Sequence, residues 1–151
     1  GDDLFVFYGG ANCHHEWWMM GLYENLDVPE AHDLDLAQYG IGLAKMRVGG
    51  FVSVDAWKVR EGVMITRALI TNNKKLELNA ACGDGGYLAV EVTDVDEKVL
   101  DGFSRMDCDT FTGDSVKTTI TWNGKAEIPH SGTVRLRFFM RNASLYSLAF
   151  A

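Results

Sequence analysis

Several features are scarce in this sequence, and each shortage excludes a class of protein or partner. The 151 residues include only two prolines, so the sixteen glycines must make most of the turns. No apolar run reaches the roughly 18 residues of a transmembrane helix, and no basic segment precedes the first apolar residues as in a signal peptide. The formal charge is −7, whereas nucleic acids and anionic membranes bind basic surfaces. We therefore expect neither a nucleic acid nor a membrane as a partner.

Cysteine is also scarce. Cys13, Cys82 and Cys108 have no metal-ligand spacing, and their odd number leaves at least one thiol unpaired. Two interpretations stay open. Either Cys82 and Cys108 pair in a disulfide, as in a secreted protein, or all three residues are buried or half-buried thiols. Cysteine therefore does not decide the cellular compartment.

What the sequence has in quantity is alternation of apolar and polar residues. In the stretch 75–103, the apolar residues of 76–80 share one side, and those of 88–92 share a side beyond the glycine-rich linker 83–86. Period-2 alternation is typical of strands with one buried and one solvated face. Glycines adopt the positive φ angles that hairpin connections need. We therefore predict a central β-hairpin with Asn79 and Glu91 on its polar face.

Strand-like segments fill most of the chain after residue 40. They are separated by turn signals such as 49–50 and 123–124, and they are predicted over 41–48, 51–57, 63–70, 76–81, 87–94, 115–122, 133–141 and 144–150. In 133–141 the residues Val134, Leu136, Phe138 and Met140 are expected to point inward. Short strands at regular spacing, without a helix of normal length, predict an all-β protein. The strand number fits an antiparallel β-sandwich of jelly-roll type best.

The N-terminal part differs from the rest. After a short aromatic strand over 4–8, the segment up to residue 39 shows neither clean alternation nor long helical periodicity, and only 16–26 is compatible with a short helix. We predict that 1–39 is an N-terminal strand with an irregular segment and that 40–151 is the β-sandwich domain. Because the chain begins inside a strand-like segment, we expect an excised fragment or a processed product.

Residues 40–150 contain, in this order, the runs GIGLAKMRVGGFVSVDA, TRALI, LELNA, GGYLAVEV, DVDEKVLDGFSRMDC, GDSVKTTITW and TVRLRFFMRNASLY. Their order resembles the C-terminal β-sandwich of glycoside-hydrolase-like proteins with a catalytic β-propeller, which have runs of the type G-L-A-x-x-R-x-D-G-F-x-S and V-R-L-R-F-x-x-x-x-A-x-L-Y. The N-terminal LFVFYGGANCHH is similar to the last strand of such a propeller. The sequence departs from the family at Gly49, where the family has Asp, and at Glu97, where a D-x-x-G turn has glycine.

The resemblance implies a module of a larger enzyme. Residues 1–39 would then be the end of a propeller with its linker. The partners would be a polysaccharide or oligosaccharide and the catalytic domain of the same polypeptide. The resemblance also implies an extracellular or periplasmic location. We expect no cofactor other than the structural calcium considered below.

A catalytic site is not expected from the acidic run 91–97. Sandwich-type glucanases place carboxylates on one face of a strand with E-x-D-x-x-E spacing, but here Glu91 alternates to the face opposite Asp94 and Asp96. We interpret the run as a solvated turn, and we predict no catalytic residues.

The polar sheet face is the main candidate for ligand binding. Sugars need planar groups that bind vicinal hydroxyls and an aromatic plate for the C–H face of the ring. The aromatic candidates are Trp57, Tyr87 and Phe139, and the planar groups belong to Glu77, Asn79, Glu91, Arg135 and Arg137. The alternative is a cross-strand lattice of opposite charges that contributes only to stability.

Two weaker candidates lie outside that face. Trp17 and Trp18 could stack on a sugar or fill an apolar gap, and the neighbouring histidines lack metal-ligand spacing. The loop carboxylates Asp107, Asp109 and Asp114 are candidates for a structural calcium, without EF-hand spacing.

These observations predict a non-catalytic carbohydrate-binding module of a carbohydrate-active enzyme. One alternative is a structural interface domain that buttresses a catalytic propeller, which would expose an apolar patch including Phe5, Trp17 and Trp18. The other is an autonomous glycosidase, which needs two carboxyl groups about 5–10 Å apart in a cleft.

Overall fold

The computed structural model describes residues 1–12, 34–72, 74–128 and 132–151. The chain forms two compact units, Gly1–Met46 and Arg47–Ala151. Regular structure in the described ranges consists of β-strands and one 3-10 helix, Leu34–Leu36, so the prediction of an all-β protein is confirmed there. Within these ranges no helix is long and apolar enough to cross a membrane. The helix predicted over 16–26, with Trp17 and Trp18, lies outside the described residues.

The first unit is built on a two-stranded sheet of β1 (Asp3–Ala11) and β2 (Tyr39–Arg47). At one end the Lys45 ammonium lies 2.9 Å from a carboxylate oxygen of Asp3. At the other end the Asn12 amide donates to the Gln38 carbonyl at 3.2 Å, and the Gln38 amide donates back to the Asn12 side chain at 2.8 Å. These contacts at both ends define an antiparallel pair, which we name the β1–β2 ribbon.

The second unit contains a six-stranded antiparallel sheet. Its centre is formed by two 18-residue strands, β6 (Leu76–Thr93) and β8 (Thr133–Phe150). β7 (Asp114–Thr119) pairs with the first part of β6. The other edge of β8 pairs with three short strands, β3 (Val54–Ala56), β4 (Gly62–Ile65) and β5 (Leu69–Ile70). The strand β8 is therefore paired with β6 on one edge and, over part of its length, with short strands on the other edge.

The predicted central hairpin is wrong. The segments 76–81 and 87–94 do not pair with each other but form one continuous strand, whose partner is β8 from the Leu76–Phe150 pair to the Thr93–Arg135 pair. The two strands predicted over 133–141 and 144–150 are likewise one strand. The glycines of 83–86 therefore serve as an irregularity within a strand, where the pairing register shifts between Cys82 and Tyr87.

The glycines are required there because β8 comes very close. A Cβ on Gly83 would lie 2.6 Å from the side-chain nitrogen of Asn142, and a Cβ on Gly86 would lie 2.2 Å from the Asn142 carbonyl oxygen. Gly85 has φ 65° and Asn142 has φ 47°, so both strands bend at the same place. The Asn142 side chain donates to the Asp84 carbonyl at 3.0 Å. We name this paired irregularity the glycine bulge.

Other predicted strands are shorter in the structure. The segment 51–57 is a strand only at Val54–Ala56, and 63–70 is interrupted between β4 and β5. Thr66 occupies the interruption, where its amide donates to the Leu136 carbonyl and its hydroxyl accepts from the Leu136 amide, both at 3.0 Å. A side-chain hydrogen bond thus replaces one step of the ladder.

The facing of the two long strands agrees with the alternation in the sequence. The residues predicted to point inward are at most 2% exposed, and they are Leu76, Leu78, Ala80, Leu88, Val90, Val92, Val134, Leu136, Phe138 and Met140. The same core contains Phe103, Ile120, Trp122 and Ile128. Phe103 and Trp122 lie with ring centroids 5.1 Å apart. The core therefore lies between the inner face of β6 and β8 and the segment that connects them.

The edge of β6 beyond β7 is closed by that connecting segment. Leu88 exchanges two backbone hydrogen bonds with Phe111, at 2.8 and 2.9 Å. At Val90 the partners are side chains: its amide donates to the Cys108 thiol at 3.2 Å, and its carbonyl accepts from the Trp122 indole at 2.8 Å. Because a buried backbone group without a partner is costly, Cys108 and Trp122 have a structural role here.

Candidate functional site

The polar sheet face is formed where the second half of β6 lies beside the first half of β8. Its opposite pairs, in register, are Tyr87–Arg141, Ala89–Phe139, Glu91–Arg137 and Thr93–Arg135. Side chains alternate along each strand, so these eight residues lie on the face opposite Leu88, Val90 and Val92. The structure thus brings three of the predicted ligand-binding residues, Glu91, Arg135 and Arg137, onto one surface.

Glu91 and Arg137 are bound to each other on this surface. A guanidinium nitrogen of Arg137 lies 3.0 Å from one carboxylate oxygen of Glu91, and the other oxygen accepts the Arg105 backbone amide at 3.3 Å. Arg137 also donates to the carboxylate and the carbonyl of Glu97, at 3.2 and 3.3 Å. Glu91 is only 9% exposed, although the alternation predicted a solvated face. The loop that carries Arg105 covers it.

The rest of the face is also internally bonded. The Arg105 guanidinium lies over the Phe139 ring at 4.5 Å and donates to both carboxylate oxygens of Glu61, at 2.9 and 2.5 Å. The Tyr87 hydroxyl donates to the same carboxylate. This hydrogen bond is the main cause that lowers the pKa of Glu61, and it raises the pKa of Tyr87. Arg141 lies over the Tyr87 ring at 5.1 Å.

Asn79 does not belong to this surface. It lies on the other side of the glycine bulge along β6 and is 5% exposed. Its side-chain oxygen accepts from Arg47 Nε at 2.5 Å, and its side-chain nitrogen donates to the Val48 carbonyl at 2.8 Å. Gly49, with φ 68°, passes so close that a Cβ there would lie 3.1 Å from Asn79 Nδ2. Asn79 therefore holds the 47–49 loop.

Arg135 and Trp57 have less support from neighbours. The Nε of Arg135 is buried and has no hydrogen-bond partner among the described residues. Trp57 follows β3 and is 79% exposed, and its carbonyl accepts the Asn142 amide at 3.2 Å. Its indole therefore lies on the surface as an open aromatic plate.

The surface of the second unit contains cavities lined by described residues. A groove of about 180 Å³ is lined by Glu77, Leu78, Asn79, Val116, Lys117, Ser147 and Ala149. A larger cavity of about 490 Å³ is lined, among the described residues, by Lys75, Asp101, Phe103, Lys125, Ala126 and Glu127. We name the larger one the lysine–carboxylate cavity. Sequence reasoning missed it, and the only relevant signal was the 123–124 turn that projects Lys125.

The calcium candidates are engaged elsewhere. Asp107 accepts the amide and hydroxyl of Ser104 at 3.1 and 2.6 Å, Asp109 accepts the Thr121 hydroxyl at 2.6 Å, and Asp114 pairs with Arg47 at 2.5 Å. These hydrogen bonds are the main cause that lowers the pKa of both Asp107 and Asp109. Within the described parts of the chain, no group of three or more His, Cys, Asp or Glu is arranged for a metal ion.

The thiols Cys82 and Cys108 are not paired. Both are free, and each has its own hydrogen-bond partner, the Phe111 carbonyl at 3.6 Å for Cys82 and the Val90 amide for Cys108. Burial raises the pKa of both thiols. Of the two interpretations, buried or half-buried thiols hold for these two residues, and Cys13 lies outside the described residues.

Comparisons with family models, with curated proteins and with solved structures find no match to this chain. The resemblance to the C-terminal sandwich of propeller glycosidases therefore stays a prediction.

Proposed function

We propose that this chain is a non-catalytic accessory module with a jelly-roll sandwich fold, attached to a β-rich catalytic domain of the same polypeptide. The observation that supports an attachment role is the exposure of the β1–β2 ribbon. Alternation along the two strands places Asp3 and Lys45 on the same face of the ribbon. The same face carries five large apolar residues that are 54–85% exposed, Phe5, Phe7, Tyr39, Ile41 and Leu43. An exposed apolar surface of this kind is typical of a protein contact.

The ribbon also supports the kind of partner. Two paired strands are marginally stable alone in water. In the described residues, β1 and β2 form a sheet of two strands. A neighbouring β-domain would supply both a third strand and an apolar surface. The resemblance of β1 to a propeller strand favours a β-propeller as this neighbouring domain. The same resemblance favours an enzyme that acts outside the cell or in the periplasm.

A structural role for the polar face supports the non-catalytic part of the proposal. Glu91 is the most buried carboxylate of that face, and both of its oxygens are bound by Arg137 and by the Arg105 amide. A general acid or nucleophile must instead present its carboxyl to the substrate.

The test compares this chain alone with the full polypeptide that the gene encodes. We expect the amides of 3–11 and 39–46 to exchange hydrogen rapidly in the isolated chain and to be protected in the full polypeptide. Ile41→Lys should abolish that protection, whereas Val59→Lys, at another exposed apolar position, should not. Equal exchange in both contexts, or a gene without an adjoining β-rich domain, would refute the attachment role.

Carbohydrate binding is a second function that we propose for the module. It is supported by Trp57, since an open indole is the group that stacks on the C–H face of a sugar. Saturable binding to at least one polysaccharide in a broad panel is expected. Flat titrations across the panel would exclude it.

A further inference from the structure

The lysine–carboxylate cavity has the dimensions of a small-molecule site. Its volume of about 490 Å³ lies within the range of roughly 300–1,000 Å³ for ligand pockets. Its described lining consists of two apolar residues, Phe103 and Ala126, and four charged residues, Lys75, Lys125, Asp101 and Glu127. The wall thus combines a few polar groups with an apolar surface, as such sites do.

The backbone around the cavity is firmly held. Lys75 exchanges two backbone hydrogen bonds with Ala151, at 2.9 and 3.0 Å, and forms a β-bridge with Glu127. Lys125 closes a tight turn by exchanging two hydrogen bonds with Trp122, at 2.8 and 2.9 Å. The two residues inside that turn, 123 and 124, both have positive φ, as in a type I′ turn. The cavity is therefore formed before any ligand arrives, which lowers the entropy cost of binding.

The four charged side chains of the cavity differ from those of the polar sheet face. On that face, arginine and glutamate groups are bound to one another. In the cavity, none of Lys75, Lys125, Asp101 and Glu127 forms an ion pair with another described residue, and all four are exposed. Two ammonium groups and two carboxylates are therefore available as donors and acceptors.

The balance of charge selects the ligand. An anion would be attracted by the two lysines and repelled by the two carboxylates, whereas a cation would be attracted by the carboxylates and repelled by the lysines. A neutral ligand rich in hydroxyls suits both, because each hydroxyl accepts a hydrogen bond from an ammonium group and donates one to a carboxylate. We propose that this cavity is the site where the module binds a neutral monosaccharide or short oligosaccharide. The inference rests on the carbohydrate-binding function proposed above.

The experiment is a titration of the isotopically labelled chain with neutral sugars, followed by amide chemical shifts. The probes are the methyl glycosides of glucose, galactose and xylose, together with sucrose and cellobiose. We expect the largest shifts at 75, 101–103 and 125–127 for at least one sugar, and an affinity independent of salt. Lys75→Met and Glu127→Gln should each weaken binding by about tenfold or more, as for hydrogen bonds to charged groups.

Matched controls separate this site from the alternatives. Lys117→Met changes an exposed lysine of the smaller groove and should not change the affinity of these sugars by more than about twofold. Trp57→Ala removes the open indole and tests whether the sugar binds there instead of in the cavity. If sugar binding survives both cavity variants but is lost in Trp57→Ala, the cavity is not the binding site, although the module still binds carbohydrate. No binding of any probe, nor of the polysaccharide panel, would overturn both.

Ligand charge provides a further test. Inorganic phosphate and a diamine such as putrescine are expected to bind at least about tenfold more weakly than the best sugar. Phosphate that binds more tightly than every sugar, with shifts at Lys75 and Lys125, would overturn the proposed ligand class. Each variant is compared with the unaltered chain by its amide spectrum, so a folding defect is recognised directly.

Discussion

The ion pair between Glu91 and Arg137 offers the sharpest test of whether the polar face serves stability or a ligand. Glu91→Gln keeps the shape of the side chain and an acceptor for the Arg105 amide, and Arg137→Met keeps most of the aliphatic stem. The two single variants and the double variant form a double-mutant cycle, which isolates the coupling free energy of the pair.

The expected magnitude follows from the geometry. At 3.0 Å and an effective dielectric constant of about 20, the direct attraction is on the order of 5 kcal/mol. Desolvation offsets much of this, because the side chains are only 12% and 21% exposed. Arg137 also keeps its contact with Glu97 when Glu91 is replaced. We therefore expect Glu91→Gln to cost about 2–3 kcal/mol and the coupling to be about 1–2 kcal/mol.

The assay is urea unfolding of the four chains, with a second cycle as a control. Lys117 and Glu77 lie 3.2 Å apart, but the lysine is 70% exposed, so their coupling should stay below about 0.5 kcal/mol. A coupling between Glu91 and Arg137 no larger than that of the control pair would refute the reasoning. Loss of sugar binding without loss of stability would show that the pair serves a ligand instead.

Three further predictions concern other parts of the second unit. Trp122→Phe leaves a buried carbonyl of β6 without its donor, so urea unfolding should show a loss of about 2–3 kcal/mol, and a loss below about 0.5 kcal/mol would contradict this role. Gly86→Ala should lower the free energy of unfolding by about 3 kcal/mol or more, because its Cβ would lie 2.2 Å from a backbone oxygen. Gly85→Ala lies in open space at φ 65° and should lower it by only about 1–2 kcal/mol. Equal losses of stability would contradict the close approach of β8 to Gly86. Tyr87→Phe removes the hydrogen bond that lowers the pKa of Glu61. This hydrogen bond stabilises the folded state above pH 4.5, the ordinary pKa of the carboxyl group, and the stabilisation is lost as the pH falls through the lowered pKa of the folded state. The stability difference from the unaltered chain should therefore shrink below pH 4.5, and a constant difference down to about pH 3 would argue against it.

Periodicity predicted which way each residue faces but not where strands begin and end. The inward residues of β6 and β8 are all buried because alternation follows directly from strand geometry. The prediction of a hairpin turn at 83–86 was wrong because glycine is favoured both in turns and where a neighbouring strand comes close. The residue that decides between these, Asn142, is far away in the sequence.

The candidate site was harder to predict for a related reason. Asn79 and Glu91 share a face of β6 by alternation, yet the glycine bulge separates them and each is held by a different loop. The lysine–carboxylate cavity combines residues from three segments, and no local pattern reveals that they meet.

The long pairing of β6 with β8 also determines how the second unit must fold. Its nearest pair, Thr93 with Arg135, already encloses the whole segment 94–134, so no part of this ladder forms locally. Pairing β6 with β8 therefore costs considerable chain entropy, and we expect folding times of milliseconds to seconds, as for other proteins dominated by distant contacts. The glycine bulge favours the observed register, because a Cβ in place of Gly86 would lie 2.2 Å from the Asn142 carbonyl oxygen. A register that put Tyr87 in the place of Gly86 would meet this clash, so we expect that register to be disfavoured.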